Sequence, residues 1–140
     1  MKTSKKGIEL IKRYEGFELV AYWDKFGEVY TIGIGHTKTA KKGMVITEKQ
    51  AEELLALDLQ ETEGYLQGLN ISQIQFDAIV SLVFNIGIGN FRSSTLYRLL
   101  KVNPNDMNIA QEFVKWKRSG GKELLGLLRR RISESELYYS

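Results

Sequence analysis

The spacing of apolar positions changes character once along the chain: strand and turn signals prevail before about residue 46, and helical periodicity prevails after it. Ser4 is placed to cap a first helix reaching about Glu15, with Ile8, Ile11 and Glu15 on one face and Leu10 and Tyr14 beside them. Gly16 is a usual helix stop. Leu19 to Trp23 reads as a strand, Asp24-Lys25-Phe26-Gly27 as a turn with Asp first and Gly fourth, and Glu28 to His36 as a second strand. Alternation along that second strand puts Tyr30, Ile32 and Ile34 on one face and Val29, Thr31, Gly33 and Gly35 on the other.

Thr47-Glu48-Lys49-Gln50 has the form of a capping box and opens a helix through about Leu66. Ser72-Gln73-Ile74-Gln75 is a second such box, and the helix after it is apolar nearly all round (Phe76, Ala78, Ile79, Val80, Leu82, Val83, Ile86), as a buried central helix requires. A glycine-broken stretch, Asn85 to Asn90, ends it. Shorter helices are expected at Thr95–Lys101 and Ile109–Lys117, and Gly120-Gly121 separates these from a last helix over about Lys122–Tyr138. The pattern predicts an α+β fold: a small three-element β region at about residues 17–46, packed on a mainly helical body with a buried central helix, a cleft between them, and all of 1–140 as one domain.

Composition adds limits. The chain has no cysteine, which excludes disulfides, thiol nucleophiles and cysteine-based metal sites. One histidine makes a poor metal site. A net charge of +3 favours anionic partners without choosing among them. The basic start, Met-Lys-Thr-Ser-Lys-Lys, is followed by no apolar signal-peptide core, and no run approaches a membrane span.

Glu15, Asp24 and Thr31 carry the candidate chemistry. Glu15 lies on an apolar stripe at the C-terminal end of a helix, where low dielectric and the negative helix end both favour a protonated carboxyl. Such an acid is what a glycosidic leaving oxygen needs. Asp24, in a polar turn, is expected to stay ionised, and two carboxylates in contrasting surroundings divide acid and base roles. Thr31 stands on the strand face where Gly33 and Gly35 leave room for substrate, and its hydroxyl is placed to hold a water. Plainer readings stand beside these: Glu15 paired with Lys12 or Arg13, Asp24 as an ordinary turn residue, Thr31 as an ordinary strand residue. His36 and the inward-facing Asp58 are expected to pair as a structural link. Arg129-Arg130-Arg131 is expected to divide between solvent and a brace on a helix end or acidic partner, not to form a basic stripe for nucleic acid.

Tyr14-Glu15-Gly16-Phe17, Ala21-Tyr22-Trp23-Asp24 and Thr31-Ile32-Gly33-Ile34-Gly35-His36-Thr37 resemble the N-terminal signature of the phage-type lysozymes, glycoside hydrolase family 24. Phe84-Asn85-Ile86-Gly87, Ser94-Thr95-Leu96, Trp116 and Gly126 to Glu134 follow in the family's order, so the resemblance covers nearly the whole chain. It implies a lysozyme-like fold and a muramidase that hydrolyses β-1,4 bonds between N-acetylmuramic acid and N-acetylglucosamine. By the same resemblance Glu15 is the general acid, Asp24 the second carboxylate and Thr31 the threonine near the attacking water. Gly33, Phe84 and Asn85 then contact glycan, with no metal and no cofactor. The Asp24–Thr31 turn is one residue longer than in the relatives and includes an extra acid, Glu28.

A lytic transglycosylase and a non-catalytic wall-binding module are the competing readings. The partner expected is the glycan strand of peptidoglycan, with no nucleic acid, no stable membrane insertion and a monomeric state. The setting implied is a phage or prophage endolysin, made in the host cytoplasm without a signal peptide, released by a holin-type route and acting on the cell wall from the periplasm.

Overall fold

A computed structural model describes residues 1–140. The elements run α1 (Lys5–Glu15), β1 (Glu18–Asp24), β2 (Val29–Gly33), α2 (Glu48–Leu66), α3 (Gln73–Ile86), α4 (Ile88–Arg92), α5 (Thr95–Val102), α6 (Ile109–Val114), β3 (Arg118–Ser119), β4 (Lys122–Glu123) and α7 (Leu125–Tyr138). Two compact units result, residues 9–61 and residues 1–8 with 62–140. The division falls inside α1 and α2, not at residue 46 where the sequence pattern changes.

In the unit of residues 9–61, β1 and β2 form an antiparallel hairpin with Tyr22 opposite Thr31, Trp23 opposite Tyr30 and Asp24 opposite Val29. A third extended piece joins β1 through the Val20–Val45 bridge, where Ala21 N–H donates to the Met44 carbonyl (2.9 Å) and Ile46 N–H to the Leu19 carbonyl (2.9 Å). Below the sheet, Ile32, Ile46 and Ala51 form a buried cluster with Phe17, Ala21, Ala40, Met44 and Leu54 packed on it. The second strand is shorter than its alternation suggests. Gly33 (φ 65°) and Gly35 (φ 66°) take left-handed backbone, and the chain turns so that Ile32 and His36 bond each other, N–H to carbonyl, at 2.9 and 3.0 Å.

The Thr47 and Ser72 boxes form as expected. Gln50 N–H donates to the Thr47 hydroxyl (3.1 Å), and Thr47 N–H donates to the Gln50 side chain (2.9 Å). Ser72 and Gln75 make the equivalent pair at α3. In the unit of residues 1–8 and 62–140, α3 is the central element, buried from Phe76 through Val83 and packed against α7, which α6 also covers. Two elements depart from the sequence pattern. The glycine-rich stretch after α3 contains the short helix α4, begun at Gly87 (φ 90°). The last helix starts at Leu125 because Lys122–Glu123 pair with Arg118–Ser119 in a small hairpin closed by Gly120-Gly121.

Ser4 does not cap α1 with its side chain. Its hydroxyl donates to the Asp77 carboxylate, and its N–H donates to the same group at 2.9 Å. The fully buried Asp77 of α3 thereby places a carboxylate at the N-terminal end of α1, the end that favours negative charge. Gly7 allows the approach: a Cβ there would stand 3.0 Å from Asp77 Cβ and 2.7 Å from Thr3 Cγ2.

Candidate active site

Glu15 is the last residue of α1 and is half-buried. The stripe that precedes it is buried as the periodicity requires, with Leu10 at 6% exposure and Ile11 at 0%. Gly16 (φ 82°) ends the helix in left-handed backbone, its N–H donating to the Lys12 carbonyl at 3.0 Å. Lys12 pairs with Glu52 at 3.5 Å and lies over the Phe17 ring.

Asp24 closes β1 and is half-buried. Its Oδ1 accepts the Phe26 N–H at 3.0 Å, a side-chain turn that fixes the carboxylate at the hairpin tip. The tip has four residues, Lys25 to Glu28, and Glu28 takes the left-handed conformation (φ 51°). Asp24 is paired with Val29, in register with the Tyr22–Thr31 pair.

Thr31 is 4% exposed, and its Oγ1 is buried without a hydrogen bond of good geometry. Opposite it on β1 stands Tyr22, whose phenol brings the site together. Burial raises the Tyr22 hydroxyl above the usual tyrosine range, the carboxylates of Asp24, Glu15 and Glu18 raise it further, and a hydrogen-bonding contact with Thr31 opposes them. Thr31 faces Tyr22 across the hairpin, and the Asp24 and Glu15 carboxylates lie within electrostatic reach of the same phenol. Tyr22 and Glu18 belong to this group and were not among the candidates. The signal for Tyr22 was present, since it lies two residues before Asp24 on an alternating strand and so shares its face.

A Cβ at Gly33 would meet Ala51 Cβ at 3.2 Å and Ile46 Cδ1 at 3.4 Å, so the glycine lets α2 pack close against this strand. Phe84 and Asn85 lie near the C-terminal end of α3, half-buried and exposed respectively. Asn85 lines a largely polar cavity of about 270 Å³ with Asn90, Trp116, Arg118 and Ser119.

His36 and Asp58 meet as expected, Nδ1 to Oδ2 at 2.7 Å. The Thr39 N–H donates to His36 Nε2 at 3.3 Å, which assigns the ring proton to Nδ1, donated to Asp58. The arginine run divides: Arg129 is exposed, while Arg130 and Arg131 are buried on the buried Glu134 at 3.2 and 2.7 Å. Ser81 adds its hydroxyl to Glu134 at 2.5 Å. No cluster of three or more His, Asp or Glu side chains is arranged to hold a metal ion.

Two carboxylates in different surroundings can divide the acid and base roles of glycoside hydrolysis. The family model for phage lysozyme matches residues 12–134, and the chain belongs to that family. It is 44% identical over 148 residues to an endolysin of Acyrthosiphon pisum secondary endosymbiont phage 1, covering 100% of this chain and 99% of that protein. It is 43% identical over 145 residues to the endolysin of Bacillus phage PZA, where it covers 100% of this chain but spans 56% of the relative's length. The SAR-endolysin of Enterobacteria phage P21 is 36% identical over 129 residues, 88% of this chain and 76% of that protein. Among solved structures, the muramidase domain of SpmX from Asticaccaulis excentricus superposes with a TM-score of 0.87 at 35% identity, covering 99% of this chain and 98% of that one.

Proposed function

We propose that residues 1–140 form one catalytic domain, a peptidoglycan-degrading lysozyme that hydrolyses β-1,4 bonds between N-acetylmuramic acid and N-acetylglucosamine. The observation that supports this reading is the hairpin register that sets Thr31 opposite Tyr22 and Asp24 on the same strand, with Glu15 in electrostatic reach of the phenol, in a chain of the phage lysozyme family. Glu15 protonates the leaving glycosidic oxygen as the C1–O bond breaks. Water adds its oxygen to C1, and Asp24, with Thr31 orienting the water, takes the proton that the water loses. Glu15 is left ionised, Asp24 is left protonated, and exchange with solvent resets both.

Phe84 and Asn85 are proposed as glycan contacts, supported by the polar cavity that Asn85 lines. Gly33 is proposed only as the space that seats α2. No cofactor enters the chemistry, and a monomer suffices for it. The endolysin relatives support action on the cell wall during phage lysis. No helix is long and apolar enough to cross a membrane. A separate holin-type route to the wall is proposed on the likeness to phage endolysins alone.

The test is product analysis on purified peptidoglycan. Soluble fragments ending in reducing N-acetylmuramic acid are expected. Anhydro-muramic ends would replace hydrolysis by transglycosylation, and wall binding without any new ends would replace both by a binding module.

A further inference from the structure

Within residues 9–61, the Thr31 hydroxyl is a buried polar atom without a well-formed hydrogen bond. A buried hydroxyl in that state costs free energy, so its position asks for a reason. Tyr22 is its direct cross-strand partner, and directly opposed side chains of an antiparallel pair share one face. Asp24, two residues further along β1, shares it too.

The polarity of these groups decides their roles. A hydroxyl has one proton to give and two lone pairs with which to accept. If Thr31 is to orient the attacking water by accepting its proton, its own proton must be directed elsewhere. The phenol oxygen of Tyr22 stands opposite to receive it. The phenol then has its own proton to place, and the Asp24 carboxylate, on the same face of β1 and in electrostatic reach, is the nearest acceptor in sequence.

We propose that Tyr22 is a positioning residue for the hydrolysis: its oxygen accepts the Thr31 proton and its O–H points to the Asp24 carboxylate, turning a Thr31 lone pair toward the attacking water. The inference rests on the lysozyme reading of the site. Burial and the neighbouring carboxylates keep the phenol protonated, so the donor persists through the neutral range. Tyr22 neither gains nor loses a proton over the reaction. Its removal leaves the acid intact and lets Thr31 turn its own O–H at the water, the wrong polarity for activating it.

The experiment measures kcat and KM on soluble glycan fragments for wild type, Glu15→Gln, Tyr22→Phe, Thr31→Val and the Tyr22→Phe/Thr31→Val double variant. Tyr22→Phe is expected to lower kcat by about 10–100-fold, the scale of losing orientation, with KM within about two-fold. Thr31→Val is expected to match it, and the double variant to be no slower than Thr31→Val alone, because both act on one water. Unchanged kcat in Tyr22→Phe, a loss confined to KM, or effects that multiply in the double variant would each overturn the proposal. A second readout needs no turnover: the ring resonance of ¹³C-labelled Tyr22 is expected to move on Thr31→Val and on Asp24→Asn. A resonance that stays fixed in both refutes the contact. Glu15→Gln separates the two claims. An inactive Glu15→Gln beside a fully active Tyr22→Phe sinks the tyrosine role alone, whereas a fully active Glu15→Gln sinks the lysozyme reading itself.

Discussion

Asp58 shows how much one side chain can hold within residues 9–61. The His36–Asp58 pair is nearly dry, with side-chain exposures of 4% and 12%. With His36 donating its Nδ1 proton, Asp58 is the charged acceptor of a buried hydrogen bond, and such bonds contribute about 1.5–3 kcal/mol. Asp58→Asn keeps an oxygen acceptor but loses the charge, and is expected to lower the free energy of unfolding by about 1–2 kcal/mol in urea titrations at neutral pH, with the m-value unchanged. A loss below about 1 kcal/mol would mean the pair is incidental. This link was legible because Asp58 repeats at helical spacing with Leu54 and Leu55, which forces it inward. The role of Gly33 was not. A glycine on a strand face reads as empty space, and only the seating of Ala51 against it reveals that a helix fills the space.

Among the elements, α1 depends on a glycine for its position. Gly→Ala inside a helix ordinarily stabilises, by about 0.5–1 kcal/mol. At Gly7 the new methyl would collide with Asp77 and Thr3, so Gly7→Ala is expected to destabilise by about 1–3 kcal/mol, read as a lower thermal midpoint. A raised midpoint would show that α1 can shift away from α3 without loss. On α7, Glu134 lies between Arg130 and Arg131, all three buried. Glu134→Ala removes the carboxylate that both buried guanidiniums share and is expected to cost about 3–5 kcal/mol, read as a lower thermal midpoint. Wild-type-like expression and melting would contradict that. Helix existence and both capping boxes were legible because caps and apolar stripes are local signals. The β3–β4 hairpin and α4 were not, since two-residue strands and a five-residue helix carry too little pattern to register. Ser4 was misread for a related reason: its partner Asp77 is distant in sequence.

At the scale of the molecule, charge is divided unevenly. Residues 1–8 with 62–140 hold thirteen Lys and Arg against seven Asp and Glu, a net +6, while residues 9–61 hold seven against ten, a net −3. The basic unit is expected to supply attraction to an anionic wall, while the candidate carboxylates Glu15 and Asp24 lie in the acidic unit. Binding of a catalytically silent variant to purified sacculi is expected to weaken as sodium chloride rises from about 50 to 500 mM, since screening shortens the reach of surface charge. Salt-independent binding would assign recognition to uncharged contacts alone. The family was legible because the motifs around Glu15, Asp24 and Thr31 fall in one short, ordered segment. Strand alternation already put Tyr22 on the face of Asp24, but its place opposite Thr31 follows only from the cross-strand register.

The central claim is that Glu15 delivers the proton that breaks the glycosidic bond. Wild type and Glu15→Gln, matched for thermal midpoint, would be mixed with purified peptidoglycan and followed by loss of turbidity. Glutamine keeps the shape of the side chain and removes the transferable proton. The account predicts that wild type clears the suspension while Glu15→Gln is slower by about 10²-fold or more. Equal clearing by the two proteins would contradict it.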